Sequence, residues 1–110
     1  MATDPVYQVL ALKYGERDTT KCQFFYREGS HDKLTLHYFV WLILGGPYPI
    51  LFDTGFLDDD AQARGIRNYV RPDEVVRRAG VQPADVPLAL ISHLHYDHWA
   101  GHSLFPKAQF

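Results

Sequence analysis

Four histidines and an aspartate crowd into residues 93–102, as Ser92-His93-Leu94-His95-Tyr96-Asp97-His98 followed by His102, and the stretch just before them, Leu88-Ala89-Leu90-Ile91, is apolar. That juxtaposition limits the local fold. A buried strand over residues 88–91 has to stop where the polar side chains begin, because imidazoles and a carboxylate left unpaired in a core are costly. The cluster is therefore expected on a loop that leaves a strand end and turns into a helix. His93 and His95 lie two apart, so on extended backbone their imidazoles project to the same side.

The rest of the chain supplies a frame for that loop. Residues 6–13, bounded by Pro5 and Gly15, read as a first strand. Residues 15–33 mix charges with Phe24, Phe25 and Tyr26 and read as an irregular segment whose aromatics pack on the core in preference to walling a pocket. Residues 34–44 alternate and then become continuously apolar, the pattern of a long strand buried at one end. Gly45-Gly46-Pro47 turns it into a partner over residues 48–52, making a hairpin. This arm stops at Asp53-Thr54-Gly55, a carboxylate at a strand end beside a Gly that frees the backbone to turn.

Residues 56–70 read as a loop, with the acidic triplet Asp58-Asp59-Asp60 solvated. For residues 72–79 the local signals agree on a helix. Pro72 opens it, Asp73 and Glu74 sit at its positive end, Arg77 and Arg78 at its negative end, and Gly80 stops it. Its buried face is expected at Val75, Val76 and Ala79. A short turn is expected over residues 83–85, a second helix over 97–105 ended by Pro106, and the start of a strand over 108–110.

Composition excludes several partners. The chain has 110 residues, 46% of them hydrophobic and 15% aromatic, enough for the core of one small domain. A formal net charge of −2 gives no cationic surplus to attract nucleic acid or an anionic membrane. The longest apolar run, residues 38–44, is far too short to span a bilayer, and the start Met-Ala-Thr-Asp carries no secretory signal, so the cytoplasm is the expected compartment. The lone Cys22 cannot form an internal disulfide and is given no role.

The cluster's chemistry is that of a metal hydrolase. His93 and His95 can grip one cation, while Asp97 and His98, offset around the bend, point to a second, neighbouring position. Imidazole with one hard carboxylate suits zinc best, with Fe, Co or Mn chemically open. A cation with an open position lowers the pKa of its water to about 7 and so yields a nucleophile at neutral pH. Asp97 has a further use, returning a proton to the leaving oxygen. The bland alternative, histidines serving as core or cap residues, needs several coincidences for His93, His95 and His98, but fits His102, His31 and His37 better than ligation does. Tyr96 and Trp99 are expected to pack around the loop. Catalytic zinc generally takes three protein ligands, and this chain does not obviously supply the remainder.

Asp53-Thr54-Gly55 at a strand end, followed by Ser92-His93-Leu94-His95-Tyr96-Asp97-His98 and Gly101, resembles the metallo-β-lactamase superfamily. His37-Tyr38-Phe39-Val40-Trp41-Leu42-Ile43 leading to Phe52-Asp53-Thr54-Gly55-Phe56, with Lys13-Tyr14-Gly15, most resembles its N-acyl homoserine lactonase-like branch. The resemblance implies an α/β fold, an αβ/βα sandwich of two similar halves about twice this length. Residues 1–110 would be the N-terminal half, a mixed sheet with helices on one face. The remaining ligands, a His, a bridging Asp and a final His, would then lie in a complementary C-terminal segment or chain, together with a substrate-facing Tyr.

Carried over by position, His93 and His95 would bind the first of two zincs, and Asp97 and His98 the second. Asp53 would stand outside the ligand set and accept a hydrogen bond from a ligand or orient the loop. The activity implied is opening of a lactone ring, an N-acyl homoserine lactone, by a metal-bound hydroxide. The alternatives are a sibling hydrolase acting on a thioester, a β-lactam or another lactone, or a non-catalytic metal-binding half that needs a complementary chain.

Overall fold

Alternation along two long strands decides the architecture. The computed structural model describes residues 6–20 and 32–110. Strand β1 (Gln8–Thr20) pairs antiparallel with β2 (Lys33–Leu44), matching Leu10 to Leu42, Leu12 to Val40 and Gly15 to Tyr38. Side chains alternate across such a pair. Tyr38, Val40 and Leu42 are buried on one side, while Val9 and Trp41 stay 59% and 38% exposed on the other. Strand β3 (Ile50–Phe52) continues the hairpin antiparallel to β2, and β4 (Leu88–Leu90) joins β3 in parallel, giving the order β1-β2-β3-β4.

A parallel pair needs a crossover, and residues between β3 and β4 provide it. Helices α1 (Asp58–Ala63) and α2 (Pro72–Arg78) and a 3₁₀ turn at Pro83–Asp85 follow one another there. They contribute Ala61, Val75 and Val76 to the same apolar cluster as Tyr14, Val40, Leu51 and Ala89. The helices therefore cover one face of the mixed sheet, as the sequence implied. The other face keeps a row of side chains running across all four strands, Ala11, Trp41, Phe52 and Leu90, paired in register. Among the described residues no helix is long and apolar enough to cross a membrane.

Several boundaries differ from the sequence expectations. Strand β1 runs on through Thr20, where an irregular segment was expected, because a register shift between Lys13 and Gly15 lets the polar stretch keep pairing with β2. Its outer edge at Glu16 is also bridged to Arg67. Phe24, Phe25, Tyr26, Cys22 and His31 lie outside the described residues. The acidic triplet is not in a loop but forms the first turn of α1, where carboxylates meet the positive end of the peptide dipoles. In α2 the buried residues are Pro72, Asp73, Val75 and Val76, and Ala79 is the partly buried residue that ends it. The strand start near the end of the chain is present as a parallel bridge between Gln109 and Leu88.

The expected helix over 97–105 is one α-turn, α3 (Tyr96–Trp99), followed by 3₁₀ turns at Ala100–Leu104. Tertiary partners take the groups an α-helix would have paired. The Asp97 carbonyl accepts the Tyr14 hydroxyl at 3.0 Å, and the Gly101 N–H donates to the Gly55 carbonyl at 2.8 Å. The His98 carbonyl accepts from both the Thr54 N–H, at 2.9 Å, and the Thr54 hydroxyl, at 3.2 Å. This seam brings the two backbones so close that a Cβ on Gly101 would collide with the Thr54 carbonyl oxygen. Gly101→Ala is therefore expected to lose about 1–3 kcal/mol of stability through overpacking. Chemical denaturation measures it, and an unchanged midpoint would contradict so close an approach.

Candidate active site

Strands β3 and β4 end side by side, since Phe52 pairs with Leu90 and the Asp53 N–H donates to the Leu90 carbonyl at 2.8 Å. The carboxyl ends of adjacent parallel strands are where open α/β sheets form ligand sites. Asp53 leaves β3 with φ +63°, a left-handed conformation that Asp tolerates better than most residues, and Gly55 follows at φ +72°. This double turn sends the Asp53 carboxylate under the loop leaving β4 instead of out to solvent. It is 2% exposed.

A buried carboxylate needs donors, and this one has three. Oδ1 accepts the Ser92 N–H at 2.8 Å, while Oδ2 accepts the Ser92 hydroxyl at 3.0 Å and meets His98 Nδ1 at 2.6 Å. An ionised carboxylate only accepts, so His98 carries its proton on Nδ1 and leaves Nε2 free. The Ser92 hydroxyl, having donated to Asp53, lies 2.9 Å from His93 Nδ1 and is set to accept from it. The same logic then frees His93 Nε2. One carboxylate thus fixes the tautomer of two imidazoles, directly and through a hydroxyl.

The rings converge. The His93 centroid lies 4.0 Å from that of His98 and 4.6 Å from that of His95. Asp97 Oδ2 is 3.3 Å from His98 Nε2. Two donors bound tetrahedrally at about 2.0–2.1 Å from one cation sit about 3.3 Å apart, so this pair has a spacing that ligation requires. In element type the set fits a borderline divalent cation. The cage is nevertheless not closed, for among the described residues no group of three or more His, Cys, Asp or Glu is disposed to hold a metal ion.

Other histidines stand apart from this gathering. His102 is exposed and stacks on Trp99 with centroids 4.6 Å apart, and His37 is exposed on β2 with Nδ1 3.7 Å from Glu16. Sequence reasoning gave no role to Tyr14, whose buried ring anchors Asp97 from a different strand. Burial, and then the nearby Asp97 charge, push its hydroxyl well above the ordinary tyrosine range, so it stays a donor. Its segment Lys13-Tyr14-Gly15 entered only the family resemblance, with no role for the hydroxyl. Ser92 and Gly101 were visible only as neighbours of the cluster. A cavity of about 180 Å³ opens beside Asp97 and His98, walled by Tyr38, Phe39 and Trp41. A larger one, about 590 Å³, lies along Asp58, Tyr69 and Glu74 and contains no histidine.

Comparison with known proteins identifies the fold. The sequence family described as the Metallo-beta-lactamase superfamily matches residues 35–110, more than half of the chain. No protein of curated function matches it by sequence. Among solved structures, it is similar to a quorum-quenching N-acyl homoserine lactone lactonase, with TM-score 0.77 and 22% identity over 96% of this chain and 44% of that one. A probable metal-dependent hydrolase from Staphylococcus aureus gives TM-score 0.71 and 18% identity, over 93% and 45%. A dizinc quorum-quenching lactonase in complex with a product gives 0.68 and 17%, over 97% and 42%. The chain thus spans less than half the length of these structures, and at such identities the likeness speaks for the fold. With the sequence match over residues 35–110, the mixed four-stranded sheet and the helices on one face, the chain belongs to the metallo-β-lactamase superfamily and carries part of its fold.

Proposed function

We propose that this chain contributes the metal-binding half of a hydrolase that opens a lactone ring, with an N-acyl homoserine lactone as substrate. The observation that carries the proposal is the convergence of His93, His95 and His98, with Asp97 3.3 Å from His98, on a fold shared with lactonases. His93 and His95 would hold one cation, and Asp97 and His98 a second. A divalent cation bound there supplies positive charge that acidifies water and polarises a carbonyl, and two zincs, or Fe, Co or Mn, suit the donor set.

The chain's own residues do the rest. Asp53 and Ser92 hold the imidazoles of His98 and His93 with Nε2 presented, work that typically governs ligand basicity and orientation. Tyr14 and Thr54 fix the backbone on which Asp97 and His98 stand. Opening a lactone breaks the bond between the carbonyl carbon and the ring oxygen: water adds its hydroxyl to that carbon, and the departing ring oxygen takes up the proton the water gave up, which Asp97 relays in this proposal. The open donor set calls for further ligands. A complementary C-terminal segment or chain is proposed to provide them, and the uncovered apolar row Trp41, Phe52 and Leu90 supports a body packed on that side.

The low identities favour keeping a second substrate class in view: a thioester, a β-lactam or another lactone on the same scaffold. Turnover assays with the completed, zinc-loaded protein separate these, and the expected outcome is lactone hydrolysis exceeding thioester hydrolysis. A thioester preference would overturn the substrate, and bound zinc with no hydrolysis of any ester-like compound would point to a non-catalytic half. His95→Ala is expected to lower zinc stoichiometry together with rate, and unchanged stoichiometry would remove His95 from the ligand set. Asp53→Asn, which keeps the shape but removes the charge, should weaken metal affinity or activity by about 10–100-fold. Metal-binding titrations and kinetics at matched zinc would detect it.

A further inference from the structure

Helix α3 has little to hold it in place by itself. It is four residues long, buries none of them, and its first carbonyl, from His95, comes from a residue whose side chain makes no capping bond. One turn is too short to be stable alone. The seam with Thr54 and Gly55 secures its far end. At its near end, where His95 and Asp97 stand, the Tyr14 hydroxyl holds the Asp97 carbonyl, and the side chain between the two, Tyr96, packs on Phe56.

Tyr96 belongs to a column of flat groups. The rings of Tyr69 and Phe56 stack 5.8 Å apart at 7°, and those of Phe56 and Tyr96 lie 5.6 Å apart at 28°. The column ends in a cation, for the Arg64 guanidinium carbon lies 3.5 Å from the Tyr96 ring centroid. At its tip the Tyr96 hydroxyl meets that of Tyr38 at 3.4 Å. Arg64 is the residue at which α1 ends, and its contact with Asp60 is long, 3.8 Å between part-exposed groups. Exposed ion pairs of that kind contribute little. The ring is the closer partner of this guanidinium.

We propose that Arg64 is a positioning residue for the segment carrying His95 and Asp97: its guanidinium holds the Tyr96 ring in the stack with Phe56 and so sets the angle at which both side chains leave the loop. The inference rests on the metal-binding role proposed above for what the loop presents, but not for the clamp itself. A planar cation suits the task, because guanidinium stacks on a ring face where ammonium sits as a point charge. A cation over an aromatic face is worth about a two- to fivefold change in an equilibrium at an exposed site.

The test titrates zinc into the protein completed by its complementary segment, as wild type, Arg64→Met, Arg64→Lys, Tyr96→Leu and the Arg64→Met/Tyr96→Leu double variant. Amide exchange of the metal-free proteins is followed at His98 and Trp99, whose N–H groups bond to the His95 carbonyl at 2.9 and 3.2 Å. Arg64→Met is expected to weaken zinc binding about two- to fivefold and to speed exchange at those amides by a similar factor. Exchange at Ala79, at the end of α2, should be unchanged. Arg64→Lys should recover part of the loss, and Arg64→Met should have no further effect in the Tyr96→Leu background. Wild-type behaviour of Arg64→Met in both measurements, or an equal loss with and without the Tyr96 ring, would overturn the proposal. If the wild type binds no zinc even when completed by the complementary segment, the metal-binding role fails, and the exchange measurement alone decides the clamp.

Discussion

The buried Asp53 carboxylate is the interaction from which the rest of the site follows. It lies in a part of the core where an unpaired charge would be expelled or protonated, and it remains because three donors converge on it. Two of those donors belong to Ser92 and the third to His98, so satisfying the carboxylate closes the loop of residues 92–98 over the end of β3. The requirement runs both ways. A loop this rich in imidazole has no apolar reason to fold against a strand end, and the carboxylate gives it one. The left-handed backbone at Asp53 is the local cost of aiming the side chain under the loop, in keeping with strain gathered at functional positions.

The seam behind Asp53 extends the same logic to the backbone. Thr54 and Gly55 donate to and accept from His98, Trp99 and Gly101, and Tyr14 takes the Asp97 carbonyl from the other side. Every one of these bonds diverts a group from helical pairing. The consequence is a helix that stops after one turn and a loop whose conformation is set by β1, β3 and β4 together. Short local structure with many distant partners is what a site needs when its side chains must stay put without a ligand.

Much of this was legible in the sequence, and the exceptions have physical causes. The hairpin, α2 and the strand before the cluster were marked by alternation, by proline and glycine at the ends, and by charges placed against the peptide dipoles. The donor types were marked by their spacing, and a place for Asp53 outside the ligand set was implied by the resemblance. Helix α1 was hidden because three consecutive aspartates look solvated, and two of them are exposed, yet they also suit a helix's first turn. The length of β1 was hidden because its polar end stays in the sheet through an irregular register and a bridge to Arg67, neither of which leaves a hydrophobic pattern. Tyr14 was hidden for a different reason. Its partner is 83 residues away, and a hydroxyl aimed at a distant carbonyl has no local signature.

The exposed sheet face and the open donor set are parts of one surface. Leu90 ends the apolar row that crosses the sheet through Trp41 and Phe52, and it is 42% exposed. Two residues further along the same strand direction the backbone reaches Ser92, and then the exposed His93, Leu94 and His95, with Leu94 at 75%. An exposed apolar side chain and exposed imidazoles therefore follow each other without a break. A body packed on the row would gain apolar contact along β2, β3 and β4 while bringing its own polar groups to the histidines at the strand ends. Hydrophobic burial supplies affinity without direction, and donor geometry supplies direction with little affinity of its own. In the proposed assembly their contiguity would make covering the sheet and completing the metal ligands a single event, so stability and cation affinity would rise together.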